Sequence, residues 1–309
     1  MTEERIYSNF MRELKAGKFV FTGELEPGKE SNIESTIEGA RRLIGHVVAC
    51  NVTDNPQSFG CVNSLIAAHT VQTETGMECI GQLRCSDKNR LALLSDILGA
   101  GLLGIRNILA LTGDYVSLGD SPNAKPVFDL DSTLLTQMIR KIVDEGKDLQ
   151  DGEIKNSPKL HVGVAATPGS AFLDMELYKL KRKILAGAEF VQTQVVFLPE
   201  DVDKFFKRVE DRGINIPILI GIFPTKSYGE AKFFHEQVSG VTVPEKFLKK
   251  MKESKQIKDK QKRKERVDQI NIEYFTDFLE HLKATLAAGC HIMAVDYPEI
   301  ISELKKVVE

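Results

Sequence analysis

Residues 171–212 read AFLDMELYKLKRKILAGAEFVQTQVVFLPEDVDKFFKRVEDR, and the order of patterns inside them decides the fold. An amphipathic stretch, Ala171–Ala186, runs into Ala186-Gly-Ala, where glycine suits the left-handed turn that closes a helix. A short run rich in β-branched residues, Phe190–Val196, follows and reads as a strand. A second amphipathic stretch, Pro199–Arg212, comes next. Helix, strand and helix in immediate succession are the signature of a parallel sheet with helical crossovers.

The same alternation extends in both directions. Upstream strand-like runs are Lys18–Leu25, His46–Val52, Glu78–Leu83, Asn107–Leu111 and Leu160–Ala166; downstream ones are Ile216–Ile222 and His291–Val295. Further amphipathic stretches are Ser35–Leu43, Lys88–Ala100, Ser132–Glu145, Tyr228–Gln237 and Asn271–Ala288. Gly99-Ala-Gly and Ala287-Ala-Gly-Cys again place glycine near a helix end. Eight strands favour closure over an open sheet, and no G-x-G-x-x-G follows a strand to support a dinucleotide-binding unit. The expected architecture is α/β, a single (β/α)8 TIM barrel over residues 1–309 with extra N-terminal and Lys-rich helical segments. The 309-residue length suits a barrel, which needs about 250 residues plus insertions.

Two segments break the rhythm. Thr112–Asp131 is a long turn-rich loop after the fourth strand, and a loop of that length in a compact domain is more often functional than accidental. Residues 244–268 read as a charged helical insertion before the last barrel helix. Between Lys246 and Arg266 eleven Lys or Arg stand against three acids, either a solvated helix face or a docking surface for an acidic partner or anionic substrate.

Composition narrows the function classes. Hydrophobic residues make up 42% and charged residues 28%, with a formal net charge of −3, so no general attraction to nucleic acid or anionic lipid is expected. The cysteines, Cys50, Cys61, Cys79, Cys85 and Cys290, form no C-x-x-C pair and read as reduced thiols of a cytoplasmic protein. No metal site is expected from this chain alone. The N-terminus is polar with no apolar signal core, and no stretch is long enough to span a membrane.

In barrels the chemistry sits at the carboxyl ends of the strands. In order, these deliver Glu24 and Glu26, Thr53, Gln82 and Arg84, then Thr112-Gly113-Asp114, Thr167, Gln192 and Gln194, and finally Phe223 to Tyr228. Amides and carboxylates of this kind suit a planar heterocycle with many donors and acceptors. Val20, Phe21 and Leu25 place Glu24 near a barrel interior, where a carboxylate is costly unless paired or used. Such burial makes a better acid near neutral pH, and Glu26 serves equally on this reasoning. Gly113-Asp114 is also a common plain turn, and a backbone group can satisfy Gln194. His161 and His291, read as the starts of strands at the barrel bottom, are expected to be structural.

At these positions the sequence resembles the methylenetetrahydrofolate reductase family over most of the chain. The resemblance rests on Phe21-Thr-Gly-Glu-Leu-Glu-Pro27, Leu111-Thr112-Gly113-Asp114 and Leu180-Lys-Arg-Lys-Ile-Leu-Ala-Gly-Ala188. Thr193-Gln194-Val-Val-Phe197, Gly221-Ile-Phe-Pro224 with Tyr228, and Val241–Pro244 with Asn271 continue it. It implies that a reduced flavin passes hydride to the methylene carbon of 5,10-methylenetetrahydrofolate. Glu24 then resembles the acid that opens the five-membered ring, and Asp114 the aspartate between flavin and pterin. Gln194 matches the folate-binding glutamine and Tyr228 the stacking aromatic. Thr53, Gln82, Thr112, Gly113, Asp114, Ala165, Thr167, Arg182 and Lys183 fall at cofactor positions, Arg182 and Lys183 being suited to phosphate.

The cofactor implied is FAD, with FMN as the alternative. The electron donor implied is NAD(P)H or a protein such as ferredoxin, with a homo- or hetero-oligomer and a partner subunit expected. Several positions depart from the family pattern: Leu25 and Glu26 replace aromatics, and Gln82 replaces a histidine. Phe128-Asp129 replaces a tyrosine-containing pair that helps hold the flavin, and Tyr297 stands near the position where the family places an arginine for the folate tail. Two other readings stand beside this one: a partner-dependent or non-catalytic reductase-like subunit, and another flavin barrel oxidoreductase.

Overall fold

The computed structural model describes residues 5–308; Met1–Glu4, on which the reading of the N-terminus partly rests, lie outside them. Eight parallel strands pair in chain order, and the last closes on the first. They are β1 (Val20–Leu25), β2 (Ala49–Val52), β3 (Cys79–Arg84), β4 (Asn107–Leu111), β5 (His161–Ala166), β6 (Phe190–Val195), β7 (Ile218–Ile222) and β8 (Gly289–Ile292). The expected (β/α)8 barrel is therefore the fold.

The helices before β5 are α1 (Asn9–Lys15), α2 (Glu34–Leu43), α3 (Ser64–Thr75), α4 (Arg90–Leu102) and α5 (Ser132–Glu145). After it come α6 (Leu173–Leu185), α7 (Pro199–Asp211), α8 (Tyr228–Gln237), α9 (Glu245–Ser254), α10 (Lys260–Lys283) and α11 (Glu299–Val308). Side-chain caps set several starts: Asn63, Asn89, Asp131, Ser227 and Asp259 each accept from a backbone N–H of the first turn. The Lys-rich stretch forms α9 and the first turns of α10, which runs unbroken to Lys283. No helix among the described residues is long and apolar enough to cross a membrane.

Period-two alternation sorts the strands into two cores. Residues such as Cys50, Val52, Val162, Val164, Ile218 and Ile220 face the helices and are wholly or almost wholly buried in the main core. The other set points inward. Val20 and Ala49 are joined by Ile80, Leu109, Phe190 and Leu219 in the lower barrel, where Phe10, Met11 and Leu14 of α1 plug the bottom. Glu78 fixes that plug by accepting from Asn9 N (2.8 Å) and Phe10 N (3.0 Å).

Gly289 corrects one expectation. It does not close a helix but starts β8, and a Cβ there would lie 2.2 Å from Val20 O, so only glycine lets β8 approach β1.

His161 also belongs to the floor, as expected. Its Nε2 accepts from Tyr7 N at 2.8 Å, and its Nδ1 lies 2.9 Å from Glu189 Oε1. Burial alone raises the Glu189 carboxyl, but His161, Arg140 and Val162 N–H together hold it below its ordinary value. The depressed value makes its contribution to stability fully present above the ordinary carboxylate range, about 4.3, and lost as pH falls through the folded value. Glu189→Gln is expected to cost about 2 kcal/mol at neutral pH and to flatten the acid limb of thermal unfolding. An unchanged acid limb in pH-dependent melting would remove Glu189 from this role.

Candidate active site

Above the apolar floor the inward positions turn polar. Asn51 of β2 and Gln192 of β6 exchange amide hydrogen bonds across the barrel, at 2.8 and 2.9 Å. Gln192 Nε2 also donates to Thr22 Oγ1 of β1 at 3.2 Å, and Thr22 Oγ1 lies 3.0 Å from His291 Nδ1 of β8. With the amide donating to Thr22, the hydroxyl is left to donate to Nδ1, and a neutral imidazole then carries its proton on Nε2. That nitrogen lies 3.4 Å from Glu24 Oε2. Gln82 Nε2 of β3 approaches the same oxygen at 3.4 Å. Glu24, whose side chain is only 13% exposed, thus stands on a buried polar layer assembled from five strands.

The expected place of His291, at the start of its strand, is corrected here. The strand begins at Gly289, two residues before the expected start, which makes His291 its third residue and turns the ring inward beside Thr22. The signal was Gly289-Cys290, which resembles a helix-ending turn and is a strand start.

The circular strand order separates the remaining predicted residues into two flanks. On the first, Thr53 follows β2 with a buried Oγ1 that has no hydrogen-bond partner among the described residues, and Gln82 of β3 stands beside Glu24. Gly113 follows β4 with φ +90°, and a Cβ there would meet Ser86 Oγ at 2.5 Å, so the turn carrying Asp114 requires glycine. Thr112 is engaged locally: its Oγ1 accepts from Ser132 N and donates to Ser132 Oγ at the start of α5. Ala165 O accepts from Lys183 Nζ at 2.7 Å, and Thr167 N donates to Glu176. Burial pulls the Lys183 ammonium below its ordinary value, against the opposing pull of Glu176 and Asp131. Arg182 serves a different space from the Lys183–Ala165 contact: it lines a groove of about 420 Å³ between α5 and α6, with Gln137, Arg140, Asp144 and Ala186.

On the second flank, Gln194 lies at a register irregularity between β6 and β7, where the ladder slips between Gln192 and Val195. Bulges of this kind re-aim side chains near active sites. Its Oε1 accepts from Val195 N at 2.8 Å. Tyr228 opens α8 and lines a cavity of about 810 Å³ between α8, α9, α10 and the segment after β8. Six cations line that cavity, Lys226, Lys232, Lys255, Lys260, Arg263 and Lys264, against Asp268, Asp296 and Glu299. Glu26 stands between the flanks; burial, then Glu24 and Asp296, push its carboxyl above the ordinary value against Lys226.

Two of the departing residues have structural partners. Asp129 binds the Arg90 guanidinium through both oxygens at 2.8 Å, which holds its carboxyl at about 2 and ties it to the start of α4. Tyr297 is buried and donates to Asp268, with Lys264 over its ring at 5.6 Å.

Known proteins share both the sequence pattern and the barrel. The family profile described as methylenetetrahydrofolate reductase matches residues 9–308. The chain is similar to the 5,10-methylenetetrahydrofolate reductase of Pectobacterium carotovorum subsp. carotovorum, 27% identical over 232 residues, covering 74% of this chain and 71% of that protein. It is equally similar to the Escherichia coli K12 protein of the same description, 27% identical with 74% and 72% covered. The match to methylenetetrahydrofolate reductase 1 of Schizosaccharomyces pombe, 28% identical, covers 58% of this chain but only 28% of that longer protein. Among solved structures, an uncharacterized Clostridium thermocellum protein that binds two copies of 5-methyl-5,6,7,8-tetrahydrofolic acid aligns with a TM-score of 0.62. It is 14% identical and covers 96% of this chain and 98% of its own, which shows the shared fold.

Proposed function

The chain belongs to the methylenetetrahydrofolate reductase family, a family of oxidoreductases, and we propose that it reduces 5,10-methylenetetrahydrofolate to 5-methyltetrahydrofolate with a bound flavin. The observation that carries this reading is the placement of Glu24, a carboxylate set on a polar layer where the two flanks of the barrel mouth meet.

The first flank fits a flavin. Thr53 Oγ1, buried without a partner among the described residues, is a ready hydrogen-bonding group for a heterocycle. Gln82 and the Ala165–Thr167 segment border the same space, and Lys183 supplies a cation there. Arg182 does not join them: its groove lies toward the ends of α5 and α6, beside the Arg140 that pairs with Glu189 at the floor. When bound, the flavin supplies the hydride.

The protein's own part is positioning and proton delivery. Gln194 and Tyr228 hold the pterin, and the cationic cavity beside Tyr228 takes the carboxylates of the folate tail. Glu24 gives its proton to the ring nitrogen, the carbon–nitrogen bond opens, and the methylene carbon is left electron-poor. His291 Nε2–H and the Gln82 amide then face the newly formed carboxylate. Asp114 belongs to the first flank, on the turn after β4.

The purified chain is expected to be yellow, or to become so with FAD. Thr53→Val should weaken flavin binding about tenfold, read by titration of the visible spectrum. A chain that stays colourless with both FAD and FMN contradicts the flavin assignment.

A further inference from the structure

The segment after β2 holds three non-glycine residues in the left-handed region, Asn55 (φ 47°), Gln57 (φ 52°) and Ser58 (φ 61°). Such backbone persists only where its surroundings over-determine it, and it collects at functional sites. What fixes it here is Arg84, the last residue of β3, which is 5% exposed.

The Arg84 guanidinium donates from Nη1 to Asn55 O (2.8 Å) and Ser58 Oγ (3.1 Å), and from Nη2 to Asp87 Oδ2 (2.8 Å). Its backbone N–H donates to Asp54 Oδ2 at 3.2 Å, and Lys88 pairs with the same oxygen at 2.9 Å. Ser58 does not end the chain of contacts: its hydroxyl, accepting from Arg84, donates to Asp114 O at 3.2 Å. One guanidinium therefore fastens the left-handed segment and, through one hydroxyl, the backbone of Asp114. Asp114 has an exposed side chain and sits on a loop, so its place is set by these backbone contacts and by the Gly113 turn.

We infer that Arg84 is a positioning residue, acting through Ser58 to hold Asp114 on the cofactor flank. This rests on the reading in which Asp114 stands beside the flavin. A carboxylate there disfavours reduced flavin, which carries the added negative charge. A planar fork is needed to reach three acceptors at once; the single ammonium of lysine does not replace it.

The test is a set of variants scored by the reduced-to-oxidised binding ratio of the flavin, obtained from its midpoint potential. Asp114→Asn should raise that ratio about tenfold, equivalent to about 30 mV for a two-electron couple. Ser58→Ala, which leaves the Arg84 contacts to Asn55 and Asp87 in place, should shift it the same way by about threefold, as Asp114 relaxes toward solvent. Arg84→Met and Arg84→Lys should do the same or more. Added to Asp114→Asn, Ser58→Ala should produce no further shift, because both act on one charge. A ratio unchanged by Ser58→Ala while Asp114→Asn moves it overturns the inference, as do full additive shifts in the double variant. No shift in Asp114→Asn itself would remove the underlying placement of Asp114, and the inference with it.

Discussion

Glu24→Gln keeps its flavin and reduces methylenetetrahydrofolate about a hundredfold to ten-thousandfold more slowly than the unaltered chain. The range is what a positioned general acid contributes. Glutamine preserves the shape of the side chain, and His291 and Gln82 still face it, so the barrel interior is not opened. What it lacks is a proton to give. Glu26 does not take over, because its strand-end position lacks the His291 and Gln82 partners that Glu24 has. Glu26→Gln is the matching control: if the large loss follows Glu26 and spares Glu24, the acid has been assigned to the wrong carboxylate.

The second large effect is expected at His291. His291→Leu removes the group that connects Thr22 to Glu24, and leaves the Thr22 hydroxyl without that acceptor in a buried setting. A hydrogen bond to a charged group contributes about 1.5–3 kcal/mol, so turnover should fall about tenfold to a hundredfold. His291→Gln retains a donor and should recover part of the loss, while the flavin spectrum stays the same. A leucine variant with normal turnover would reduce His291 to a packing role, and loss of bound flavin would show that the ring supports the fold.

The barrel was legible because each strand carries its own signal. Ile216–Ile222 and Leu160–Ala166 are short apolar runs between amphipathic stretches, and neither needs a distant contact to be recognised. Helix α3 was harder. Its apolar residues cluster in SLIAAH, without the one-sided spacing that marks α7, although Asn63 and Gly76 cap its two ends. The Lys-rich stretch gave charge but not continuity, and only the structure joins its second half to the last barrel helix.

Site residues divide along the same line. Glu24, Gln82 and Thr53 could be named because strand ends face the barrel mouth. The layer beneath them could not, since Asn51 and Gln192 are 141 residues apart and meet only when the barrel closes. His291 depended on a strand start two residues earlier than the sequence suggested, and its contact with Thr22 spans 269 residues. Arg84 was visible as a strand end, but its clasp on Asn55 and Ser58 depends on loop backbone that no periodicity encodes. Arg182 and Lys183 are neighbours in the motif yet serve different spaces, one in an outer groove and one at Ala165.

The central claim is tested most directly by mixing the flavin-reduced protein with 5,10-methylenetetrahydrofolate in the absence of oxygen, following flavin absorbance and folate product together. The flavin should reoxidise with one 5-methyltetrahydrofolate formed per flavin, and Glu24→Gln should abolish the fast phase. Reduced flavin that persists while the folate remains unchanged would contradict the account.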